Sequence, residues 1–565
     1  MRTYFLGLTA MAMMCACGGT DFTIPTPGDD SGAGNDGGAG DGSAGDGAVG
    51  DAGSDAGSCL PQEICGNAVD DNCNGQVDEG CNGIGTFVSG ATGLDTNPGT
   101  KLSPVKTIAK GMANAVTLGG ARTVYVAGSH YPEKITLIEG VSLDGGYLCD
   151  LNTCTWARNP AVNDTAILDQ DFEGVLAGPT ITRATTVSGF RLQGMNGAPN
   201  AFPGAVALTI KGSPSITGNT INGGDVNGGQ NRTAAIEVLA PIADPNGPLI
   251  ENNAIKGGAS GVSSLGLAFD WVPNPPANSI STGLVRNNRI VGGTAANVSY
   301  AVMAQSVGGS AALVGNSITA GTSTASGGSF GAAWGVGIGG TMLVDANLIN
   351  VDQNVVGKCA QTALWCGGLV SLGSTSVITN NVIYGLQGPR SAAVLLTEGE
   401  KATGVVTLNG NTLDGAGVGI SVSGVTISTA VALRIVVGVN GLFGKIRNDI
   451  LQGGINQKRY GIYEDQIAGK TNKPQALEYN DIFFPALVNR QDAYWHQWDG
   501  STASDVITIL APNLNVDPML DATWHLNSAS GCIDKGTATE APAKDRDGDN
   551  RPKNNVVDMG ADEFK

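Results

Sequence analysis

One short pattern recurs through the middle of this chain and restricts its possible folds more than any other feature. Asparagine is followed two residues later by isoleucine or leucine, with another apolar residue shortly before it, in nine places. Successive copies begin 28 to 37 residues apart, a spacing typical of solenoids, in which each repeat forms one coil stacked on the last. The repeated asparagines are Asn219, Asn253, Asn288, Asn316, Asn347, Asn381, Asn411, Asn448 and Asn480.

The chemistry of the repeat predicts a parallel β-helix. Asparagine tolerates the left-handed backbone conformation at a tight bend, and its amide can donate and accept hydrogen bonds along a stack of identical neighbours. The apolar residue two positions later, from Ile221 to Ile482, should then lie on one interior line. Abundant glycine, 86 of 565 residues, fits short strands joined by tight turns. We therefore predict an all-β parallel β-helix over residues 86–530, the alternative being an asparagine-rich all-β protein with chance repeats.

A capping helix is predicted ahead of the first coils. Val105, Ile108, Met112 and Val116 would share one helical face, and the helix would cover the free strand edge of the first coil. Strand-like runs follow at Thr123–Ala127, Lys134–Leu137 and Val141–Leu143, and a degenerate copy of the repeat follows at Phe190-Arg191-Leu192.

Both ends of this region resemble known protein families. Asp95, Pro98-Gly99-Thr100, Pro104 and Lys106-Thr107-Ile108 resemble the capped first coil of pectate-lyase-like right-handed β-helix proteins. Residues 531–565 resemble the closing motif of choice-of-anchor Q proteins through Cys532-Ile533-Asp534-Lys535-Gly536, Asp545-Arg546-Asp547-Gly548, Arg551-Pro552 and Asp558-Met559-Gly560-Ala561-Asp562-Glu563-Phe564. The resemblance implies a right-handed β-helix located at the cell surface, and it implies no activity.

The amino-terminal residues predict export. Arg2 precedes an apolar run that ends at Met14, and the following Cys15-Ala16-Cys17 resembles a bacterial lipobox. Residues 1–17 are therefore predicted to be a lipoprotein signal peptide with Cys17 acylated, and plain secretion is the alternative. Residues 18–58, rich in glycine and aspartate, are predicted to be a disordered linker. These features predict a lipid-anchored protein at the outer membrane or cell surface, with the membrane as a partner.

The net charge of −19 argues against nucleic acid as a partner, because phosphates would be repelled. Most of the excess belongs to residues 21–81, which carry thirteen acidic residues and no Lys or Arg. The charge therefore predicts that nucleic acid is not a partner of this protein.

A small cysteine-rich module, residues 59–82, contains Cys59, Cys65, Cys73 and Cys81 and is predicted to be disulfide-bonded. Its candidate metal ligands, Asp70, Asn72, Asn74, Gln76 and Asp78, have the alternating oxygen spacing of a calcium loop, with Gly75 at the turn. The module resembles the cysteine-rich metal-binding motif of Gram-negative surface proteins, and calcium is the predicted cofactor. The alternative is a disulfide-tied acidic knot that holds no ion.

Further cysteines and aspartates give local predictions. The close pairs Cys149/Cys154 and Cys359/Cys366 are predicted to form disulfides, and Cys532 to be a buried thiol. Asp545, Asp547 and Asp549 repeat the alternating spacing and suggest a second calcium site, the alternative being a solvated turn.

Catalytic machinery is not assignable from the sequence, because the three histidines are isolated and no hydrolase motif is found. Residues 434–473 hold seven Lys or Arg against three acidic residues, so an acidic glycan could bind there. Candidate contacts are Lys445, Arg447, Tyr494, Trp495 and Trp498, the alternative being a solvated basic face.

The predicted function is a non-enzymatic surface lipoprotein, structural or carbohydrate-binding. The alternative is a polysaccharide lyase or glycoside hydrolase that acts on an acidic polysaccharide.

Overall fold

The computed structural model describes residues 85–565 except 119–121, 169–172, 197–204, 227–231, 240–241, 243, 270–280, 306–310, 325–331, 352–364, 373–374, 387–389, 398–404, 416–428, 437–443, 455–457, 466–473, 484–490 and 497–510.

Parallel strands stacked coil upon coil confirm the predicted β-helix. The first sheet contains Gly85–Val88, Arg122–Ala127, Val141–Cys149, Thr186–Ser188, Ser215–Thr217, Leu249–Glu251, Leu284–Arg286, Ala312–Val314, Leu343–Asp345, Val377–Thr379, Thr407–Asn409, Lys445–Arg447 and Ala476–Glu478, with Cys154–Arg158 paired antiparallel to Val141–Cys149. The second contains Ser129–Tyr131, Thr165–Leu168, Arg191–Gln193, Thr220–Asn222, Ala254–Lys256, Arg289–Val291, Ser317–Thr319, Leu348–Ile349, Val382–Tyr384, Thr412–Asp414, Ile450–Gln452 and Asp481–Phe483.

The third sheet, here called the long-strand sheet, contains Ile135–Thr136, Glu173–Ala177, Ala205–Ile210, Arg232–Val238, Ser263–Phe269, Val298–Ala304, Ala332–Ile338, Cys366–Leu372, Arg390–Thr397, Thr429–Val436, Lys458–Asp465 and Gln491–His496. Three short strands, Ala259–Ser260, Thr294–Ala295 and Thr322–Ser323, form a small extra sheet. From Arg122 onward, each coil therefore contributes one strand to each of the three long sheets.

The core is a column of aliphatic side chains enclosed by the three sheets. The second sheet contributes one buried line, made of Leu192, Ile221, Ile255, Ile290, Ile318, Ile349, Ile383, Leu413, Leu451 and Ile482. Facing it, the long-strand sheet has alanine or glycine at one position of each strand from Ala205–Ile210 to Lys458–Asp465: Ala207, Ala235, Gly266, Ala301, Gly335, Gly368, Ala393, Ala432 and Gly461. Larger side chains do not fit here, because a Cβ on Gly335 would lie 2.6 Å from Ile349 Cγ2 and 2.7 Å from the Gly368 carbonyl oxygen.

Substitution of Gly335 by alanine should lower stability by about 1–2 kcal/mol, because the added methyl group must displace backbone or an interior isoleucine. The measurement is the denaturant midpoint of the purified chain. Gly178→Ala is the control, because a Cβ there meets nothing within 4 Å. Equal effects of the two substitutions would contradict this packing.

The repeated asparagines form a buried ladder between the first and second sheets. Asn253 illustrates the pattern: its Nδ2 donates to the Ile216 carbonyl of the preceding coil (2.9 Å) and to the Glu251 carbonyl (2.8 Å). The backbone N–H and Nδ2 of Asn253 also donate to Asn288 Oδ1 of the next coil, at 2.9 and 3.0 Å. Each amide thus satisfies backbone groups of its own coil and a neighbouring one, which explains why Asn is required.

Two details of the ladder differ from the sequence-based prediction. The residue with left-handed backbone angles is the one before each ladder asparagine, for example Gly218 (φ 64°) or Asn252 (φ 56°). The side chain of the ladder asparagine can therefore point into the interior and form hydrogen bonds there. In one coil that left-handed residue is Asn448 (φ 56°), and the ladder position belongs to Asp449, whose Oδ1 accepts from Asn411. The prediction for Asn448 is therefore wrong by one residue. Leu451, not Ile450, lies on the interior line of this coil.

The first coil is capped by a helix, Ile108–Val116, as predicted, but its buried face differs. The helix begins after Thr107, whose side chain accepts from the Lys110 N–H, so Val105 lies before the helix in extended chain. Its buried residues are Ile108, Gly111, Met112 and Ala115, whereas Val116 is 41% exposed. The prediction for Val116 is wrong, because in the last turn of the helix Ala115 faces the core and Val116, the final helical residue, lies beside it towards solvent.

The helix N-terminus is held by two carboxylates. Asp95 Oδ1 accepts from the N–H groups of Lys106 and Thr107, and Glu133 accepts from those of Ile108 (2.9 Å) and Ala109 (3.0 Å). Negative side chains at this end satisfy N–H groups that have no partner within the helix.

Candidate functional site

The carboxy-terminal residues 511–565, here called the closing segment, run back along the outside of the β-helix. The side chains of Asn380, Asn409 and Asn448 donate outward to the carbonyls of Lys544, Glu540 and Thr537, respectively, at 2.8 to 2.9 Å. Each of these asparagines belongs to a different coil, so the closing segment fastens at least three successive coils together.

Lys445 and Arg447, two of the predicted glycan contacts, lie under this segment. Lys445 Nζ is 2.5 Å from Glu540 Oε1, and Arg447 Nε is 2.7 Å from Glu478 Oε1. Arg447 also pairs with Glu540, whose pKa lies below its ordinary value because Lys445 donates to it and both cations attract it. These two cations are already neutralised by protein carboxylates, so the structure gives them a structural role instead of a place in an open basic stripe.

Two of the other predicted contacts belong to the long-strand sheet. Tyr494 and Trp495 lie in the strand Gln491–His496, and backbone register aligns Trp495 with Tyr463 and Arg434 of the two preceding coils. Trp498 lies outside the described residues. Stacking therefore aligns Arg434 with Tyr463 and Trp495 in this sheet, whereas Lys445 and Arg447 belong to the first sheet, and a glycan-binding stripe stays a prediction.

A group of side chains on the outside of this sheet, here called the aromatic patch, consists of Trp365, Arg434, Tyr460 and Tyr463. The Arg434 guanidinium carbon lies 4.2 Å from the centre of the Trp365 ring. The Trp365 and Tyr463 rings are 6.1 Å apart, and the Tyr460 and Tyr463 rings, nearly edge to face, are 5.0 Å apart. Trp365, Arg434 and Tyr463 are half-buried, so the patch reaches the molecular surface, while Tyr460 is buried at its base.

The patch continues into an apolar outer face. Tyr300, Met303 and Trp334 lie on the same side of the long-strand sheet and cluster with smaller apolar residues of neighbouring coils. These side chains are buried, although they point away from the interior column of the β-helix. The outward face of this sheet is thus mostly apolar, whereas the outward positions of the first sheet include Glu251, Arg286 and Arg447.

Chemically, the aromatic patch combines flat apolar rings with one permanent cation. Ring faces suit the apolar faces of sugar rings, and a guanidinium can form paired hydrogen bonds with a carboxylate. The sequence did not indicate Trp365 or the two tyrosines as a group, because they are brought together only by coil stacking. The signal within the sequence was that Arg434 lies between the aliphatic residues Leu433 and Ile435, which are buried, and that Tyr463 directly follows the buried Ile462.

The three aspartates predicted as a second calcium site do not converge on one point. Asp545 Oδ1 accepts from the N–H groups of Asp547 (2.9 Å) and Asp549 (2.8 Å), and its Oδ2 accepts from that of Glu563 (3.0 Å). Asp549 faces Lys565 at 3.1 Å, and Asp547 faces His525 at 2.6 Å. The three residues form a tight turn in which backbone N–H groups donate to Asp545, whose side chain is buried, so Asp545 itself is not part of a solvated turn.

The remaining site predictions divide between described and undescribed residues. Cys149 and Cys154 form a disulfide, and Cys532 is a buried free thiol. Cys366 lies buried at the start of its strand, and Cys359 lies outside the described residues. Also outside are Cys17, the linker and the module with Cys59, Cys65, Asp70, Asn72, Cys73, Asn74, Gln76, Asp78 and Cys81. In the part of the chain that the structure describes, no helix is long and apolar enough to cross a bilayer.

Comparison with known proteins gives structural likenesses alone. No protein-family model matches the chain, and no curated protein does. A solved structure of pectate lyase Pel9A is similar with a TM-score of 0.37 and 12% identity, over 86% of this chain and 98% of that one. A structure of XylC in complex with xylose is similar with a TM-score of 0.38 and 10% identity, over 85% of this chain and 98% of that one. Neither likeness assigns a residue or an activity to this chain.

Proposed function

We propose that this protein is a carbohydrate-binding β-helix that contacts an acidic glycan through the aromatic patch. The observation that carries the proposal is the half-buried Trp365 ring, with the Arg434 guanidinium against its face and Tyr463 beside it. The part of these half-buried rings that reaches solvent would be covered by a bound partner, which favours binding.

The two kinds of side chain would select different features of the ligand. A sugar ring laid on Trp365 or Tyr463 buries its apolar C–H face, while its hydroxyl groups remain hydrated at the rim. Arg434 supplies the charge-assisted hydrogen bonds that a uronate carboxylate accepts, which neutral sugars do not offer. The ligand class is therefore a polysaccharide that carries carboxylates.

The amino-terminal features complete the proposal. Acylation of Cys17 would anchor the protein in a membrane, and the linker of residues 18–58 would hold the β-helix away from it. Calcium bound by the cysteine-rich module would rigidify the junction between linker and β-helix. Together these parts would present the aromatic patch to a polysaccharide at the cell surface.

The expected result of Trp365→Ala or Tyr463→Ala is about tenfold weaker binding of polygalacturonate, because either substitution removes one stacking surface. Arg434→Ala should also reduce the salt dependence of binding, since the lost contact is electrostatic. The measurement is titration calorimetry at low and physiological salt.

The matched control is Arg286→Ala, which removes an exposed arginine from the first sheet, where it pairs with Glu251. Arg286→Ala should bind like the parent, and equal affinity of the parent and the three patch variants would rule out the aromatic patch as the contact surface. Release of an unsaturated uronic product by the parent chain would instead favour a polysaccharide lyase.

A further inference from the structure

We propose that the closing segment binds a divalent transition-metal cation through His525, Asp547 and Asp562. One candidate ligand atom from each residue lies within 4.8 Å of the other two, close enough for a single ion to contact all three. The three residues come from separate stretches of the closing segment, so the ion would tie those stretches together.

The strongest indication of a ligand is that the Asp562 carboxylate is buried and only one of its oxygens accepts a hydrogen bond from the described residues. Asp562 is only 2% exposed, and its Oδ2 accepts from the Leu526 N–H at 2.9 Å. Its Oδ1 is buried and, among the described residues, has no hydrogen-bond partner. A buried carboxylate oxygen without a partner is costly, and a bound cation would remove that cost.

The local charge also favours a cation. The Arg551 guanidinium is buried among the carboxylates of Asp545, Asp558, Asp562 and Glu563. Two guanidinium groups, those of Arg551 and Arg546, face these four carboxylates and Asp547, so carboxylates outnumber cations in the cluster.

Arg546 occupies part of the space beside the proposed ligands. Its Nη2 lies 2.8 Å from His525 Nε2, and its Nε lies 3.3 Å from Asp547 Oδ1. His525 Nε2 is also 2.6 Å from Asp547 Oδ2, and His525 Nδ1 is 2.7 Å from Thr523 Oγ1. The guanidinium therefore competes with a metal ion for the same ligands, and the ion must displace it.

The donor set indicates the class of metal. One imidazole nitrogen with two carboxylates suits zinc and its transition-metal neighbours, whereas calcium prefers oxygen ligands alone. The expected role is structural, because the ion would link residues 521–526, 545–549 and 558–563, which close the β-helix.

The test uses the full-length oxidised chain, stripped of metal by a chelator and titrated with Zn²⁺ in a calorimeter. The parent should bind Zn²⁺ at this site and unfold at a higher temperature when Zn²⁺ is present. His525→Ala and Asp562→Asn should each weaken this binding by about tenfold or more and abolish the rise in unfolding temperature. Arg546→Ala should strengthen binding, because the competing guanidinium is gone.

Asp549→Asn is the matched control, since Asp549 lies in the same turn but outside the three ligands. If Asp562→Asn fails to fold, His525→Ala still decides the matter, because the His525 side chain is 33% exposed and tolerates truncation. The proposal is overturned if the parent binds no Zn²⁺ at millimolar concentration. It is equally overturned if His525→Ala binds Zn²⁺ as tightly as the parent, or if Asp549→Asn loses the binding.

Discussion

Replacing Asp449 by asparagine should stabilise the protein by up to about 4 kcal/mol at and above pH 7. Asp449 holds a position of the asparagine ladder, and its Oδ1 accepts from Asn411 as a ladder asparagine would. Its Oδ2 is buried without a hydrogen-bond partner, in the place where the other ladder residues have an NH₂ group. Asparagine would restore that donor without changing the shape of the side chain.

The pH dependence follows from the protonation of this carboxyl. Burial raises the pKa of Asp449 from 3.8 to about 7, against the opposing effect of the hydrogen bonds from Asn411. Below about pH 4 the carboxyl is protonated in both folded and unfolded chains and causes no loss of stability. As the pH rises towards 7, the unfolded chain releases the proton while the folded chain retains it, so the free energy of unfolding falls.

The measurement is the difference in denaturant midpoint between Asp449→Asn and the parent at pH 4.5 and pH 8. We expect a small difference at the lower pH and the full difference at the higher one. Asp150→Asn removes the same charge at an exposed position where hydrogen bonds from the Thr153 and Asn152 N–H groups lower the pKa, so its difference should have the opposite pH trend. An Asp449→Asn difference that does not change with pH would show that folding does not raise the pKa of this carboxyl.

Asn381→Ala should destabilise the protein by about 3 kcal/mol, near the top of the range for loss of a buried hydrogen-bonding group. The Asn381 side chain donates to the carbonyls of Val344 (2.8 Å) and Thr379 (2.7 Å) and to Asn411 Oδ1 (3.0 Å), and its own Oδ1 accepts from Asn347. Alanine would leave the Asn347 N–H groups and two carbonyls without these partners in a water-free interior.

The control for the ladder is Asn252→Gly, which changes an exposed asparagine at the left-handed position. Other coils have Gly218, Gly315 or Gly410 there, so glycine should be tolerated with little effect. Denaturant unfolding of the two variants and the parent makes the comparison. Similar losses for both variants would mean that the ladder hydrogen bonds contribute little to stability.

The repeat in the sequence was enough to predict the coil register. The asparagine is needed for the ladder hydrogen bonds, and the aliphatic residue two positions later is needed for the core. It failed only at Asn448-Asp449, where two short polar residues are adjacent and the sequence alone cannot tell which of them faces inward. The register between Leu413 and Leu451 settles that choice in the structure. Local chemistry thus predicted the ladder to within one residue.

The candidate site was less predictable, because its contacts connect residues far apart in the sequence. Lys445 and Glu540 are 95 residues apart, so the ion pair that occupies this lysine could not be inferred from the local excess of basic residues. Likewise, Trp365 and Arg434 meet through coil stacking, after the chain has returned twice to the long-strand sheet. Sequence composition identified a local excess of basic residues, but it could not tell which of them pair with carboxylates far away in the sequence.

The most direct test of the proposed function is a crystal structure of the protein with an acidic oligosaccharide, for example a short oligogalacturonate. We expect a sugar ring against Trp365 or Tyr463, with a uronate carboxylate hydrogen-bonded to the Arg434 guanidinium. A ligand bound at Lys445 and Arg447 with their carboxylate partners displaced, or bound on any face away from the aromatic patch, would contradict the proposed function.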